Sequence, residues 1–261
     1  MIPRDYITEW RDQAPWVDDA QVEQDLVISR ALIDIFSHET LRHALAFRGG
    51  TALFKLHLPA ARYSEDIDLV QVKAEPAGSV MDALREVLDP WLGEPKRKHN
   101  MALVTLAYRF QSEGGQPLRL KVEINTREHF SVEGFREIPF AVNSRWYEGS
   151  CSILSYELNE LLGTKLRALC QRKKGRDLFD LAIALNDDAA DPDKIIAAFY
   201  TYMEHAEHTV TRKQFQENIA AKLKDKNFAS DIGPLLASGY EWDLIAMSEK
   251  VDKALISRLS H

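Results

Sequence analysis

Two aspartates separated by one apolar residue are the feature of this sequence best suited to chemistry. Asp66 and Asp68 flank Ile67, and residues 66–70 alternate acidic and apolar side chains as a half-buried strand does. Side chains two positions apart on a strand project from the same face, so the two carboxylates lie together. Paired carboxylates supply the hard oxygen ligands that Mg²⁺ prefers and leave coordination positions open for phosphate. We therefore predict a site for Mg²⁺, with Mn²⁺ as the alternative ion.

The residues before this strand suit a nucleoside triphosphate. A Gly-Gly pair lets backbone N–H groups approach phosphate closely, and Thr51 can begin a helix whose N-terminus favours anions. The run Arg-Tyr-Ser-Glu-Asp-Ile-Asp at residues 62–68 adds a hydroxyl and a guanidinium. Taken singly, Gly-Gly is usually a turn and Asp-x-Asp a solvated strand edge, but their ordered combination favours a nucleotide site. The residues predicted to bind the nucleotide here are Gly49, Gly50, Thr51, Arg62 and Ser64.

A third carboxylate, Glu123, lies on a later predicted strand between Val122 and Ile124. The same alternation directs it away from the core. It either completes the metal site or acts as the base, and two metal ions so held would promote in-line displacement at the α-phosphorus. Considered alone, Glu123 is equally consistent with an exposed strand residue.

The Gly-Gly-Thr turn and the strand of Asp66 and Asp68 resemble the first motif of the AbiEii/AbiGii toxin family. MenT-like toxins are members of that family, which lies within the DNA polymerase β-type nucleotidyltransferase superfamily. The resemblance implies transfer of a nucleoside monophosphate from a nucleoside triphosphate, with release of pyrophosphate. It also implies a bacterial toxin with a cognate antitoxin encoded nearby, and the 3′ end of tRNA as the acceptor.

A second resemblance lies further along the chain. Leu-Leu-Gly-Thr-Lys-Leu-Arg-Ala-Leu at residues 161–169 is similar to the family's lysine motif, and residues 176–181 match its Arg-Asp-x-x-Asp motif. The resemblance implies that Lys165 contacts the triphosphate and that Asp177 and Asp180 are required for activity, facing the nucleotide across an interdomain cleft. From the residues alone, Lys165 also fits a surface lysine, Asp177 a helix N-cap and Asp180 an ion pair with Arg176.

Basic residues cluster in two places although the net charge is −7. That charge argues against a protein that coats nucleic acid, but it allows a local basic site. For the cluster at residues 96–99, a binding role and a solvated turn are both open. The second cluster is predicted to hold an RNA acceptor through Arg172, Lys173, Lys174 and Arg176.

Strand patterns fill the first half of the chain and helix patterns the second, which predicts an α+β protein. The resemblance implies a polymerase β-type core, a mixed sheet with flanking helices, followed by a helical C-terminal domain. We assign residues 1–150 to the core with an N-terminal helical arm, and residues 151–261 to a helical domain that closes the nucleotide cleft. Pro3 and Pro15 resist regular structure in the arm, and residues 126–150 give a mixed pattern. Predicted strands span residues 45–48, 66–70, 102–110 and 118–125, and predicted helices begin at residues 18–19, 51, 76, 156, 176, 193, 212 and 242.

The composition is that of an ordinary globular chain of 261 residues with two cysteines, so we expect a reducing cytoplasm and no membrane partner. Two alternatives remain. One keeps the chemistry but transfers to a protein or to a small molecule such as an antibiotic, which fits the overall acidity slightly better. The other is a non-catalytic nucleotide-binding module, which has no need of three carboxylates.

Overall fold

The computed structural model describes residues 2–100 and 102–260, and the chain divides into two compact units. The first unit runs to Tyr156 and the second begins at Glu157. The division lies later than residue 150, because residues 151–156 form the end of a strand that pairs within the first unit.

A mixed sheet of seven strands forms the centre of the first unit, within the residues described. Its strand order is β3-β4-β5-β2-β1-β7-β6. The pairs β2–β5 and β1–β7 are parallel, and the other neighbouring strands are antiparallel. The strands are β1 (Leu45–Arg48), β2 (Asp66–Gln71), β3 (Lys96–His99), β4 (Leu103–Gln111), β5 (Pro117–Asn125), β6 (Phe135–Asn143) and β7 (Glu148–Tyr156).

Helices cover the apolar face of this sheet. Val22, Leu26 and Leu32 are buried on α2, which packs against β7, while α5 contacts β4. The predicted start of α2 is confirmed, because Asp18 accepts a hydrogen bond of 2.8 Å from the backbone N–H of Ala20. The helices of this unit are α1 (Arg4–Trp10), α2 (Asp19–Ser37), α3 (Glu39–Ala44), α4 (Gly49–Ala52), which continues as a π-helical turn (Leu53–His57), and α5 (Gly78–Leu92).

The N-terminal arm has more regular structure than its two prolines suggested. Helix α1 begins directly after Pro3, where a proline costs no hydrogen bond. The indole N–H groups of Trp10 and Trp16 donate to the buried carboxylate of Asp25 at 2.8 and 3.2 Å. The arm is therefore anchored to α2 by two buried hydrogen bonds.

The sequence patterns missed β3, β6 and β7. Strand β3 is exposed at every position, and β6 is an edge strand that contains Pro139 and has a single buried residue. Neither strand buries a continuous apolar face, so the periodicity that marks a strand is absent. The hairpin of β4 and β5 buries most of one face, including Val104, Leu106, Val122 and Ile124, and its prediction is confirmed.

The second unit is helical, as predicted, and its helix ends lie within a few residues of the predicted ones. The short helix α10 was missed. Across residues 2–100 and 102–260, no helix is both long enough and apolar enough to cross a bilayer. The helices are α6 (Leu158–Gln171), α7 (Gly175–Ala184), α8 (Pro192–His205), α9 (Arg212–Lys222), α10 (Lys226–Ser230) and α11 (Leu244–Ala254).

Candidate active site

The two aspartates lie on one face of β2, beside Gly49 and Gly50. These two glycines follow β1 directly and begin α4, and we call them the glycine turn. Gly49 has a φ of +82°, and a Cβ added to it would stand 2.1 Å from Oδ2 of Asp68. Glycine is needed here both for the left-handed backbone and for the close approach of the turn to the carboxylate. The turn and the carboxylate therefore form one packed unit.

Hydrogen bonds tie the start of α4 to the start of β2. The Thr51 hydroxyl donates to the Asp66 carbonyl at 2.6 Å and lies 2.9 Å from the Ser64 hydroxyl. Thr51 is buried, and helix α4 begins at Gly49 rather than at Thr51 as predicted. The hydroxyl of Thr51 thus holds the backbone that carries Asp66, which leaves Ser64 as the more accessible of the two hydroxyls.

The Arg62 side chain packs against Gly50 of the glycine turn. Its side chain is 2% exposed, its guanidinium lies 5.3 Å from the ring centre of Phe54, and Nη1 donates to the Tyr63 carbonyl at 3.0 Å. A Cβ on Gly50 would stand 2.5 Å from its Nη2. The structure thus places four of the predicted nucleotide residues, Gly49, Gly50, Thr51 and Arg62, in one packed cluster beside β2.

Lys121 lies between two of the predicted metal ligands. The β2–β5 register sets Asp66 opposite Lys121 and Asp68 opposite Glu123. The Lys121 ammonium is 3.2 Å from Oδ2 of Asp66 and 3.3 Å from Oε2 of Glu123. Burial alone would lower the pKa of Lys121, but the two carboxylates outweigh it and raise the pKa above its ordinary value.

This ion pair holds the Glu123 carboxylate against the Lys121 ammonium. Glu123 also accepts from the Thr105 hydroxyl at 3.3 Å. Among the described residues, no three His, Cys, Asp or Glu side chains converge as a metal site. The three-carboxylate site of Asp66, Asp68 and Glu123 therefore stays a prediction. Lys121 was not singled out from the sequence, although its position two residues before Glu123 on a strand already placed both side chains on one face.

One carboxylate oxygen of the site is left available to bind a cation. Oδ1 of Asp66 is buried and accepts no hydrogen bond from any described residue. A buried carboxylate oxygen without a partner is costly, so it favours a ligand that supplies positive charge.

Gly49→Ala is expected to disturb this site strongly, because the new Cβ meets Asp68 and the backbone is left-handed. We expect a loss of unfolding free energy of about 1–3 kcal/mol and a loss of transfer activity of at least about a hundredfold. Urea denaturation and nucleotide transfer measure the two effects. Gly114→Ala is the matched control, since its Cβ would meet only Ser112 Oγ at 3.9 Å. Parental activity in Gly49→Ala would contradict the packed arrangement.

In the second unit, Lys165, Asp177 and Asp180 form a buried ionic cluster. Nζ of Lys165 is 3.3 Å from Asp177 and 2.8 Å from Asp180, and both carboxylates have no exposed surface. Arg172 adds a bidentate contact to Asp177 at 2.7 and 2.8 Å. The cluster brings the two resembling motifs together, and the contact of Lys165 with a triphosphate stays a prediction.

The basic run that was predicted to hold RNA is paired with acidic residues throughout. Arg172 binds Asp177, and Lys173 lies 3.3 Å from Asp225. Lys174 and Arg176 both lie within 4 Å of Asp231, at 3.5 and 3.9 Å. These carboxylates offset much of the positive charge that the sequence displays.

Comparison with known proteins decides the family. A sequence model described as nucleotidyl transferase AbiEii toxin, of type IV toxin–antitoxin systems, matches residues 30–253. The chain belongs to the AbiEii family. This AbiEii chain is accordingly a nucleotidyltransferase that uses a nucleoside triphosphate, and membership of a toxin–antitoxin family implies a cognate antitoxin. No curated protein sequence matches it.

Solved structures show the same α+β fold. The AbiEii chain is similar to the nucleotidyltransferase toxin MenT4 of Mycobacterium tuberculosis, with a TM-score of 0.69 and 18% identity over 100% of this chain and 91% of that one. It is also similar to JHP933 of Helicobacter pylori, with a TM-score of 0.56 and 15% identity over 91% of this chain and 90% of that one. The predicted fold class is thereby confirmed.

Proposed function

We propose that the chain transfers a nucleoside monophosphate from a nucleoside triphosphate to the 3′ end of tRNA, in a Mg²⁺-dependent reaction. The observation that supports metal binding is Oδ1 of Asp66, a buried carboxylate oxygen that accepts no hydrogen bond from any described residue. Asp68, on the same face of β2, packs against Gly49. All ligand atoms on offer are carboxylate oxygens, which suits Mg²⁺ and, as an alternative, Mn²⁺.

Asp66 and Asp68 are the proposed ligands. When bound, the ion would neutralise the phosphates and polarise the reacting groups. In the transfer step the acceptor hydroxyl oxygen bonds to the α-phosphorus and the bond to the β-phosphate bridging oxygen breaks. Pyrophosphate leaves, and the hydroxyl proton passes to a carboxylate of the site, for which Glu123 is our candidate.

The residues around the glycine turn would hold the triphosphate. Gly49 and Gly50 would offer their backbone N–H groups to it, and Ser64 offers a hydroxyl. Thr51 and Arg62 serve this site by positioning the turn, because both side chains are buried. The Lys121 ammonium adds a fixed positive charge on the same face of the sheet.

Lys121→Met is expected to strengthen binding of divalent cations to the protein without nucleotide. Removing the ammonium frees Oδ2 of Asp66 and Oε2 of Glu123, and it removes a positive charge from the site. We expect the affinity for Mn²⁺ to rise at least about tenfold, which calorimetric or paramagnetic titration measures independently of activity. Lys73→Met, at an exposed loop position, is the control. An unchanged Mn²⁺ affinity would mean that Lys121 does not occupy a cation site.

The proposed function is tested by incubating the chain with each labelled nucleoside triphosphate and total RNA, with Mg²⁺ or with a chelator. Metal-dependent labelling confined to tRNA is the expected result. Labelling of protein would move the acceptor to the protein class. Labelling that persists in chelator would remove the metal from the mechanism.

A further inference from the structure

The active face of the sheet continues from the aspartates onto three neighbouring strands. Residues paired across strands share a face, and so do residues two apart. Thr105 on β4 stands opposite Glu123, and Lys98 on β3 stands opposite Thr105. A straight row therefore leads from Asp68 through Glu123 and Thr105 to Lys98 at the edge of the sheet.

The neighbouring rows on this face carry further cations. One row runs from Asp66 through Lys121 and Ala107 to Lys96. In the next row, Arg109 on β4 stands directly opposite Arg119 on β5. Four exposed cations on this face, which we call the basic face, form no ion pair with any described residue. The basic face consists of Lys96, Lys98, Arg109 and Arg119.

The pairing of Arg109 with Arg119 is informative because like charges directly opposite on a sheet repel. Both side chains are exposed, and no carboxylate of the described residues offsets them. A sequence that keeps such a pair accepts a stability cost, which is typical of a surface that binds an anion. The only acidic side chain of β3, β4 or β5 on this face is Glu123, which Lys121 already neutralises.

Other positive groups are less available. The basic run at residues 172–176 is ion-paired at each cationic side chain. Arg48, which ends the Asp68 row on the other side, is 2.5 Å from Glu128. Unneutralised charge on the sheet therefore lies toward β3, on strands that are one to three spacings of about 4.8 Å from β2.

We infer that the basic face binds the sugar-phosphate backbone of the RNA acceptor and leads its 3′ end to Asp66 and Asp68. The inference rests on the proposed function, because it names the surface that presents the acceptor to that site. The rows of cations suit an RNA strand that crosses the sheet from its β3 edge toward β2. Phosphate contacts of this kind position an RNA without reading its bases.

The test compares three double variants that each remove two positive charges. Arg109→Gln with Arg119→Gln alters the basic face. Lys173→Gln with Lys174→Gln alters the basic run at residues 172–176. Lys73→Gln with Arg97→Gln is the control, because Lys73 is in an exposed loop and Arg97 projects from the opposite side of β3, paired with Leu106.

Binding of fluorescently labelled tRNA is measured by anisotropy over a range of salt concentrations. The basic-face variant is expected to raise the Kd at least about tenfold at low salt and to reduce the salt slope by about 1.5, for two lost phosphate contacts. The control should keep the parental slope. Nucleotide affinity and the melting temperature should be unchanged or, for the melting temperature, raised, since repulsion between the arginines is relieved.

Each other outcome has a defined meaning. If the parent labels tRNA but the basic-face variant binds it like the control, the inference fails while the proposed function stands. If only the basic-run variant loses tRNA binding, the inference fails and the acceptor surface is residues 172–176. If the parent neither binds nor labels RNA, the proposed function fails as well.

Discussion

Replacing Asp68 with asparagine is expected to reduce nucleotide transfer at least about a thousandfold while the fold stays intact. The substitution keeps the shape that packs against Gly49 but removes the charge proposed to hold the metal. A metal ligand contributes several kcal/mol of transition-state stabilisation, and each 1.36 kcal/mol is about tenfold in rate. Asp66→Asn should have a similar effect. Single-turnover transfer with saturating nucleotide measures both.

Stability separates this effect from misfolding. Removing one of two neighbouring carboxylates relieves their mutual repulsion, so the melting temperature of Asp68→Asn should hold or rise. Glu65→Gln is the matched control, because Glu65 is exposed directly before Asp66 and is not a proposed metal ligand. Wild-type transfer rates in the double variant Asp66→Asn with Asp68→Asn would make the metal assignment wrong.

Replacing Lys165 with methionine is expected to destabilise the helical unit by about 3–5 kcal/mol. Asp177 and Asp180 have no exposed surface, and the substitution leaves their charges without the ammonium that lies within 3.3 Å of both. Methionine keeps most of the apolar stem, so lost packing contributes little. Denaturation in urea, followed by circular dichroism of the full chain, measures the loss.

Lys173→Met is the comparison for that measurement. Its ammonium pairs with Asp225 at the surface, where salt and water screen the contact, so the denaturation midpoint should not change. The family resemblance predicts instead that Lys165 contacts the triphosphate. If Lys165→Met unfolds at the parental midpoint yet binds nucleotide about ten- to a hundredfold more weakly, the lysine is a ligand contact and not a structural ion.

The parts of the site that could be predicted from the sequence are those set by local periodicity. Alternation along β2 placed Asp66 and Asp68 on one face, and the alternation on β5 did the same for Glu123. The partners of the basic run could not be predicted. Asp225 and Asp231 lie more than fifty residues from Lys173 and Arg176, and no local pattern links them.

Strand β3 could not be predicted because all of its side chains are exposed to solvent. Lys96 and Lys98 lie in a strand without a single buried side chain, so the sequence left a binding role and a solvated turn equally open. The register with β4 shows that this segment is a strand, and together with the β4–β5 and β2–β5 registers it places Lys96 and Lys98 on the face of Asp66 and Asp68. The contact of Lys121 with Asp66 likewise depends on the β2–β5 register, which joins residues 55 positions apart.

The parallel pairing of β2 with β5 also has a consequence for how the protein is made. Strands β1 and β2 form one antiparallel pair and β3, β4 and β5 form an antiparallel meander, so each can assemble from nearby residues. Asp66 and Lys121 are 55 residues apart, and the β1–β7 pair joins residues 108 apart, so the two parallel pairings are the slow, non-local steps. A nascent chain that ends before β5 lacks Lys121, Glu123 and the buried Val122 and Ile124 together. A chain that ends before β5 is therefore expected to be both unfolded and inactive, because it lacks the strand that joins β2 to β4 in the sheet.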